Sequence, residues 1–297
     1  MSYGITIGSE DLTNYSDEYF TSADGLKLFY RDYNNAPKGA LTVLCMPGLT
    51  RNSKDFEEIA AHLAPRYRVI CAEQRGRGNS AWDPDPSHYR PGVYVADMMA
   101  LLAHLGISEI VAFGTSLGGL MTMIMASMHP GVIKAAIIND IGPELDPAGI
   151  ARIKSYVGKG TPPTTWDEAY AVVKGFSKDV YPNFTEADWR WFTHKLYAKK
   201  NGKPEISYDP AIGKTFGADN SDATPTPDFW PQFKALYGVP VVVLRGALSD
   251  LLSGETLAKM ARLHPDLVPI TVPERGHTPL LNEPECLNAI DALLEKA

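Results

Sequence analysis

One serine in the chain is flanked by glycines on both sides. Ser116 lies in the stretch AFGTSLGGLM, with Gly114 two positions before it and Gly118 and Gly119 after it. The apolar run EIVAFG before this serine predicts a β-strand, and LGGLMTMIMA after it predicts a helix. A strand that turns sharply into a helix brings backbone segments close together, so glycines there remove Cβ atoms that would clash. The pattern predicts a strained turn that exposes the Ser116 hydroxyl at the carboxyl edge of a sheet.

A serine hydroxyl becomes a useful nucleophile only when a base takes its proton and a third group orients that base. His277, in PERGHTPL, follows the apolar run LVPITV, and Asp250, in LRGALSD, follows VPVVVL. If those runs are parallel strands, both residues emerge at the same edge of the sheet as the serine. We predict a catalytic triad of Ser116, Asp250 and His277. Asp140, which ends the run KAAIIND, is the alternative acid.

Two backbone amides are predicted to bind the oxyanion that forms when the serine attacks a carbonyl group. Leu117 begins the helix after the turn, where free N–H groups and the positive end of the helix dipole face the site. Leu49 follows the strand LTVLCM in the loop PGLTRN, and Gly48 lets that backbone approach. Pro47 has no N–H and cannot donate. Of the other histidines, only His88, in DPSHYR, is expected near the cleft.

These residues need a sheet whose strands end at one edge, and the rest of the sequence predicts one. Short apolar runs alternate with helical patterns in both halves of the chain, and the runs lack polar alternation. Such runs are typical of parallel strands that helices cover on both faces. We predict an α/β fold with a doubly wound, mostly parallel sheet, preceded by a hairpin that turns at Asp24-Gly25. Residues 1–142 and 231–297 would form this core.

The alternation stops between Pro143 and Pro231. AGIARIKSYVG, TWDEAYAVVKGFSKDVY and TEADWRWFTHKLYAK read as helices, and a stretch rich in Gly, Pro and Asp follows them. We predict that residues 143–230 form an inserted helical cap (lid) over one edge of the sheet. Aromatic rings usually fill cores, so most of its rings should pack inside the cap, with one or two facing the cleft. Trp189 is the candidate for a substrate contact. The rings are those of Trp166, Tyr170, Phe176, Trp189, Trp191, Phe192 and Tyr197.

Composition excludes several classes of protein. The chain has 297 residues, 44% of them hydrophobic, and a net charge of −7, so no basic field would attract nucleic acid or anionic lipid. The N-terminus lacks a signal-peptide pattern, and no apolar run reaches the roughly 18 residues of a membrane span.

The three cysteines, Cys45, Cys71 and Cys286, are odd in number, and the first two lie in apolar runs. Buried reduced thiols and a cytoplasmic enzyme are therefore expected.

No cofactor or metal is expected either. The stretch GRGNSA matches a dinucleotide-binding fingerprint, but the prolines of WDPDP follow it and forbid the helix that would hold a pyrophosphate. The sequence has neither an H-E-x-x-H motif nor paired C-x-x-C motifs. A small-molecule substrate is the expected partner, and nothing in the sequence fixes the oligomeric state.

Taken together, these motifs resemble those of α/β-hydrolase-fold proteins over nearly the full chain. The matching pieces are PGLTRNSKDF for the oxyanion loop, EQRGRGNS after the next strand, GTSLGG for the nucleophile elbow, GALSD for the acid and RGHTP for the base. The order Ser116, Asp250, His277 is that of the family's triad. The resemblance implies a lid over the core and no cofactor. Many relatives have His-Gly where this chain has Pro47-Gly48, which leaves the Leu49 amide as the donor of that loop.

The predicted reaction is hydrolysis of a small or medium carboxylic ester by two acyl transfers. Haloalkane dehalogenases and epoxide hydrolases of this fold have an aspartate at the elbow, so Ser116 argues against both. The same triad also serves lactonases, thioesterases and hydrolases that cleave a carbon–carbon bond in keto acids. A keto acid carries a carboxylate, for which Arg51 is the candidate partner. A hydrolase-fold receptor with little turnover is a further alternative.

Overall fold

A large sheet forms the centre of the molecule. The structure is a computed structural model that describes residues 14–216 and 228–297. Its strands are β1 (Ser16–Thr21), β2 (Lys27–Tyr33), β3 (Thr42–Met46), β4 (Arg68–Ala72), β5 (Ile110–Thr115), β6 (Ile133–Asn139), β7 (Tyr197–Lys200), β8 (Lys203–Ile206), β9 (Val241–Gly246) and β10 (Leu267–Val272). Eight of them form one sheet in the order β1-β2-β4-β3-β5-β6-β9-β10. β1 and β2 pair antiparallel, as do β2 and β4, and the other neighbours are parallel.

Helices cover both faces of this sheet. The α-helices of the described residues, four of which lie between β6 and β9, are α1 (Glu57–Leu63), α2 (Pro91–Leu105), α3 (Leu117–Met128), α4 (Pro147–Tyr156), α5 (Trp166–Ser177), α6 (Glu186–Leu196), α7 (Trp230–Lys234), α8 (Gly254–Leu263) and α9 (Pro284–Lys296). In β3, Val43 and Cys45 belong to one buried cluster with α1 and α9. Leu44 and Met46 belong to the other, with α2, α3 and α8. Burial on both faces explains why the strands lack polar alternation, and the predicted doubly wound fold is confirmed.

The segment from residue 143 to residue 230, called the insertion below, lies between β6 and β9. It contains α4, α5, α6, the hairpin β7–β8 and a 3-10 helix at Pro210–Phe216. The expectation of a helix through residue 199 is wrong, because α6 ends at Leu196 and the chain continues as a strand. Asn201 and Gly202 both have positive φ, as a tight hairpin turn requires. The Asn-Gly pair in the sequence signals this turn. Part of the Gly, Pro and Asp-rich stretch, residues 217–227, lies outside the described residues.

Hydrogen bonds join the insertion to the core at the carboxyl edge of the sheet. The side-chain amide of Asn52 donates to the Lys195 carbonyl at 3.1 Å, and Lys54 Nζ donates to the His194 carbonyl at 2.9 Å. Both acceptors are at the carboxyl end of α6, where carbonyl groups lack helical partners. Lys195 Nζ in turn binds Glu58 Oε2 at 2.8 Å. These bonds hold the insertion against the loop that follows β3.

Cys45, Cys71 and Cys286 are buried free thiols, as predicted, and the first two occupy opposed positions of β3 and β4. Among the helices of the described residues, none has the length and apolar character needed to cross a bilayer. The cytoplasmic location stays a prediction.

Candidate active site

The turn between β5 and α3 has the strained geometry that its glycines predict. Ser116 has φ 52° and ψ −113°, a backbone conformation that residues other than glycine seldom adopt. A Cβ on Gly114 would lie 2.2 Å from the carbonyl carbon of Gly118, and a Cβ on Gly118 would lie 1.9 Å from the Met46 carbonyl oxygen. Backbone atoms cannot move aside as a flexible side chain can. The glycines therefore allow β3, β5 and α3 to meet around the serine.

His277 reaches this serine from the loop that follows β10. Its Nε2 lies 2.8 Å from Ser116 Oγ, within hydrogen-bonding distance. The imidazole is only 8% exposed. The structure thus brings together the nucleophile and the base that the sequence predicts, although 161 positions separate them in the chain.

The carboxylate that holds His277 is Asp140, and the predicted contact with Asp250 is wrong. His277 Nδ1 lies 2.8 Å from Asp140 Oδ2, and the Asp140 side chain is fully buried. Its other oxygen, Oδ1, accepts a hydrogen bond from the Gly246 amide at 2.9 Å. Asp140 directly follows β6, which lies beside β9 in the sheet. The two candidate acids therefore emerge from neighbouring strands, and only one of them meets the imidazole.

Asp250 instead forms a two-bond ion pair with Arg152 of α4. Arg152 Nε and Nη2 donate to its two carboxylate oxygens at 2.5 and 2.8 Å. Burial alone would raise the pKa of Asp250, but the bonds and charge of Arg152 outweigh it and lower that pKa. A Cβ on Gly149 would lie 2.6 Å from the Asp250 carbonyl oxygen, so α4 packs directly on this turn. That contact places Arg152, one turn later, beside the carboxylate.

The two predicted oxyanion donors flank the serine. A Cβ on Gly48 would lie 3.6 Å from Ser116 Cβ, so the loop that carries Leu49 packs against the elbow. Leu117 is the first residue of α3, so its N–H has no acceptor within the helix. Leu49 lines the same cavity as Ser116, and Leu117 follows Ser116 in the chain. Their role as oxyanion donors stays a prediction.

Ser116 and His277 open into a cavity of about 390 Å3 between the sheet and the insertion. Arg51 lines it, as the sequence suggests, and its guanidinium carbon lies 4.8 Å from the centre of the Phe192 ring. The prediction that Trp189 contacts substrate is wrong, because this residue is not among those that line the cavity and packs, 3% exposed, in the aromatic core of the insertion. Four other rings from the predicted group line the cavity instead. They are those of Phe176, Trp191, Phe192 and Tyr197.

The sequence analysis missed a contact between the insertion and the loop that carries the base. The hydroxyl of Tyr181 donates to the Thr278 carbonyl at 2.9 Å, and the Gly276 amide donates to the Val180 carbonyl at 2.8 Å. These bonds hold the backbone on both sides of His277. Burial raises the pKa of Tyr181, so its hydroxyl remains a donor. Only tertiary structure reveals this arrangement, since tyrosine is common in cores.

Replacing Tyr181 with Phe is expected to lower kcat about three- to tenfold with little change in KM. One neutral hydrogen bond contributes roughly 0.5–1.5 kcal/mol, and its loss would loosen the base rather than the substrate. Steady-state kinetics on an activated ester would measure both constants. Tyr170→Phe is the matched control, since Tyr170 packs against the same aromatic cluster and does not line the cavity. Equal kcat values for the two variants would show that Tyr181 does not position His277.

Three residues outside the cavity could together hold a metal ion. Asp24, Asp83 and His88 each have a potential ligand atom, and these atoms lie within 4.8 Å of one another. Arg75 already binds both carboxylates, through Nη1 at 2.7 Å from Asp24 and 2.5 Å from Asp83, and it also binds Asp97. The guanidinium supplies the positive charge that a cation would bring, so we interpret the cluster as a structural ion-pair network. His88 belongs to this cluster, 3.0 Å from Asp83. It is not among the residues that line the cavity.

Comparison with known proteins agrees with this fold. A family model described as the alpha/beta hydrolase fold matches residues 42–284. The chain belongs to the alpha/beta hydrolase fold family. A solved structure of an alpha/beta hydrolase from Novosphingobium aromaticivorans is 45% identical, with a TM-score of 0.89, over 96% of this chain and 99% of that one.

Curated relatives of this α/β hydrolase also carry hydrolase names. The 3-hydroxybutyrate-oligomer hydrolase of Cupriavidus necator is 32% identical over 264 residues, which is 87% of this chain and 89% of the relative. The 2-(acetamidomethylene)succinate hydrolase of Mesorhizobium japonicum is 27% identical over 79% of this chain and 81% of its own. The protein is therefore a hydrolase of this fold family.

Proposed function

We propose that this α/β hydrolase cleaves a small or medium carboxylic ester through an acyl-enzyme on Ser116. The observation that carries the proposal is the continuous chain of contacts from Ser116 Oγ to His277 Nε2 and from His277 Nδ1 to Asp140 Oδ2, each 2.8 Å long. This arrangement lets an imidazole take the serine proton while a buried carboxylate stabilises the imidazolium.

The reaction would proceed in two acyl transfers. Ser116 attacks the ester carbonyl as His277 takes its proton, and the amides of Leu49 and Leu117 bind the resulting oxyanion. The imidazolium then protonates the departing alcohol. In the second step His277 takes a proton from water, which attacks the acyl-enzyme, and the imidazolium gives that proton to the Ser116 oxygen as the acid leaves. Asp140 keeps Nδ1 protonated throughout, so that Nε2 is free to accept.

The insertion would act as a cap in this reaction. Its residues line the cavity opposite Ser116 and His277, so it can exclude bulk water and shape the site for the acyl and alcohol parts of the substrate. The bonds of Asn52 and Lys54 to α6 would hold that cover in place. The boundaries proposed for the cap are residues 143–230.

One consideration favours an ester over the carbon–carbon bond of a keto acid. The relative from Cupriavidus necator is named for hydrolysis of a hydroxybutyrate oligomer, and oligomers of a hydroxy acid are joined by ester bonds. Lactones and thioesters remain compatible, since the triad is indifferent to the leaving group.

A labelling and turnover experiment tests the proposal. A fluorophosphonate probe should modify the peptide that contains Ser116, and a 4-nitrophenyl ester should release one equivalent of nitrophenol in a burst before steady turnover. A lactone, a thioester and a dienoic keto acid complete the substrate panel. Hydrolysis of the keto acid without hydrolysis of any ester would contradict the proposal. Labelling without turnover of any substrate would favour the receptor alternative.

A further inference from the structure

Two arginines reach the cavity of Ser116 from different parts of the fold. Arg51 comes from the loop after β3, and Arg152 comes from α4 in the insertion. Each is held by a carboxylate along the same edge of its guanidinium, the edge formed by Nε and Nη2. Asp55 holds Arg51, and Asp250 holds Arg152. Arginines held in this way are fixed in orientation before any ligand arrives.

The two hydrogen bonds to a carboxylate use only some of the donors of each guanidinium. Arginine has five N–H donors in a planar fork, and a carboxylate on the Nε–Nη2 edge leaves three of them, two on Nη1 and one on Nη2. The side chains of Arg51 and Arg152 are 16% and 29% exposed, respectively, and both line the cavity. Each can therefore offer a further donor to a molecule inside it.

Tyr156 lines the same cavity as these arginines. The positive charges of Arg152 and Arg51 both act on its hydroxyl. Burial raises the pKa of Tyr156, so its hydroxyl stays neutral and can donate. Two arginines and a tyrosine that interacts with both thus line one cavity.

The charge that faces the cavity is positive. Within residues 14–216 and 228–297, the Arg, Lys, Asp and Glu side chains that line it are four cations and one anion. The carboxylates of Asp250 and Glu58, which pair with Arg152 and Lys195, are not among the lining residues. Such a surface attracts an anion of the substrate. The five lining residues are Arg51, Arg152, Lys159, Lys195 and Asp55.

We propose that the substrate is an ester that also carries a carboxylate, and that Arg152, with Tyr156 and Arg51, binds this carboxylate while the ester carbonyl lies at Ser116. The planar fork of arginine matches the two oxygens of a carboxylate. This inference rests on the proposed ester hydrolysis and adds a substrate class to it. Asp250 then has a role of its own, as the residue that positions Arg152.

Two matched pairs of esters test the preference. The first is mono-4-nitrophenyl adipate against 4-nitrophenyl hexanoate, which differ by a terminal carboxylate on the acyl part. The second is 4-acetoxybutyrate against butyl acetate, which places the carboxylate on the alcohol part. The wild-type enzyme should favour the charged member of at least one pair by about ten- to one-hundredfold in kcat/KM, mainly through KM, as expected for a charge-assisted hydrogen bond.

The double variant Arg152→Gln/Asp250→Asn removes the ion pair without leaving an unpaired charge in the cavity. The preference for the charged ester should fall to less than threefold, because Tyr156 and Arg51 would remain without the guanidinium of Arg152. Arg190→Gln is the control, since this insertion arginine is exposed, pairs with Asp167 at 3.9 Å and does not line the cavity. It should keep the wild-type preference.

The possible failures are distinguishable. Turnover of neutral and charged esters at equal kcat/KM by the wild-type enzyme would overturn the subsite while supporting ester hydrolysis. Full retention of the preference in the double variant would also overturn it, because the selectivity would then arise elsewhere. Absence of all ester turnover, with Ser116 unlabelled by fluorophosphonate, would instead refute the proposed function itself.

Discussion

Ser116→Ala is expected to lower kcat on an activated ester by about 10^5- to 10^6-fold. The change removes the atom on which we propose that the acyl-enzyme forms, and losses of this order follow removal of a triad serine in other hydrolases. The residual rate would come from the oxyanion donors and from substrate binding alone. Steady-state kinetics on a 4-nitrophenyl ester would measure the loss, and the fluorophosphonate label should disappear with it.

The folded state should survive this change. Alanine is smaller than serine, and the strained backbone at φ 52° is equally unfavourable for both residues. The thermal unfolding midpoint should therefore change by no more than a few degrees. Ser87→Ala, at an exposed serine that does not line the cavity, is the control and should keep full activity. More than 1% of wild-type activity in a Ser116→Ala protein free of contamination would exclude a covalent mechanism on this residue.

The features that local sequence determines could be predicted well. The turn at Ser116 follows from glycine spacing, because close backbone contacts exclude larger residues there. The parallel sheet follows from the uninterrupted apolar runs, and the position of His277 follows from the strand before it. Each of these predictions depends on residues within about ten positions of the site.

The acid of the site could not be assigned in this way. Asp140 and Asp250 both follow apolar strands that end at the same edge, and neither local sequence shows which side chain meets His277. The choice depends on α4, which packs over the Asp250 turn through Gly149 and brings Arg152 to that carboxylate. This is a contact between segments about 100 residues apart, which a single sequence does not encode as a pattern.

The aromatic residues of the insertion illustrate the same limit. Trp189 and Phe192 are three positions apart on α6, and both are largely buried, yet only Phe192 lines the cavity. Helical periodicity identifies which residues share a face, but not whether that face meets the core of the insertion or the cavity. The packing of α6 against α5 and the core decides this.

Asp140→Asn is expected to lower kcat about 10^3- to 10^4-fold, through the tautomer of His277. Asp140 Oδ1 accepts the Gly246 N–H at 2.9 Å, so the asparagine carbonyl oxygen should take that position and its NH2 group should face His277 Nδ1. Nδ1 would then act as an acceptor, which moves the ring proton to Nε2. A protonated Nε2 cannot take the proton of Ser116, and the corresponding change in another serine hydrolase costs about 10^4 in kcat.

Asp250→Asn, measured on the same uncharged ester, should lower kcat by less than tenfold, because Asp250 binds Arg152 and not His277. The two variants form a matched pair, since each converts one carboxylate at the same edge of the sheet into an amide. Thermal unfolding of both proteins would separate loss of folding from loss of catalysis. If Asp250→Asn proved the more damaging to kcat, the imidazole would have to be oriented by Asp250 during catalysis. A larger loss for Asp140→Asn would mean that the acid of this hydrolase follows β6, and that Asp250 is available to position the substrate-binding arginine.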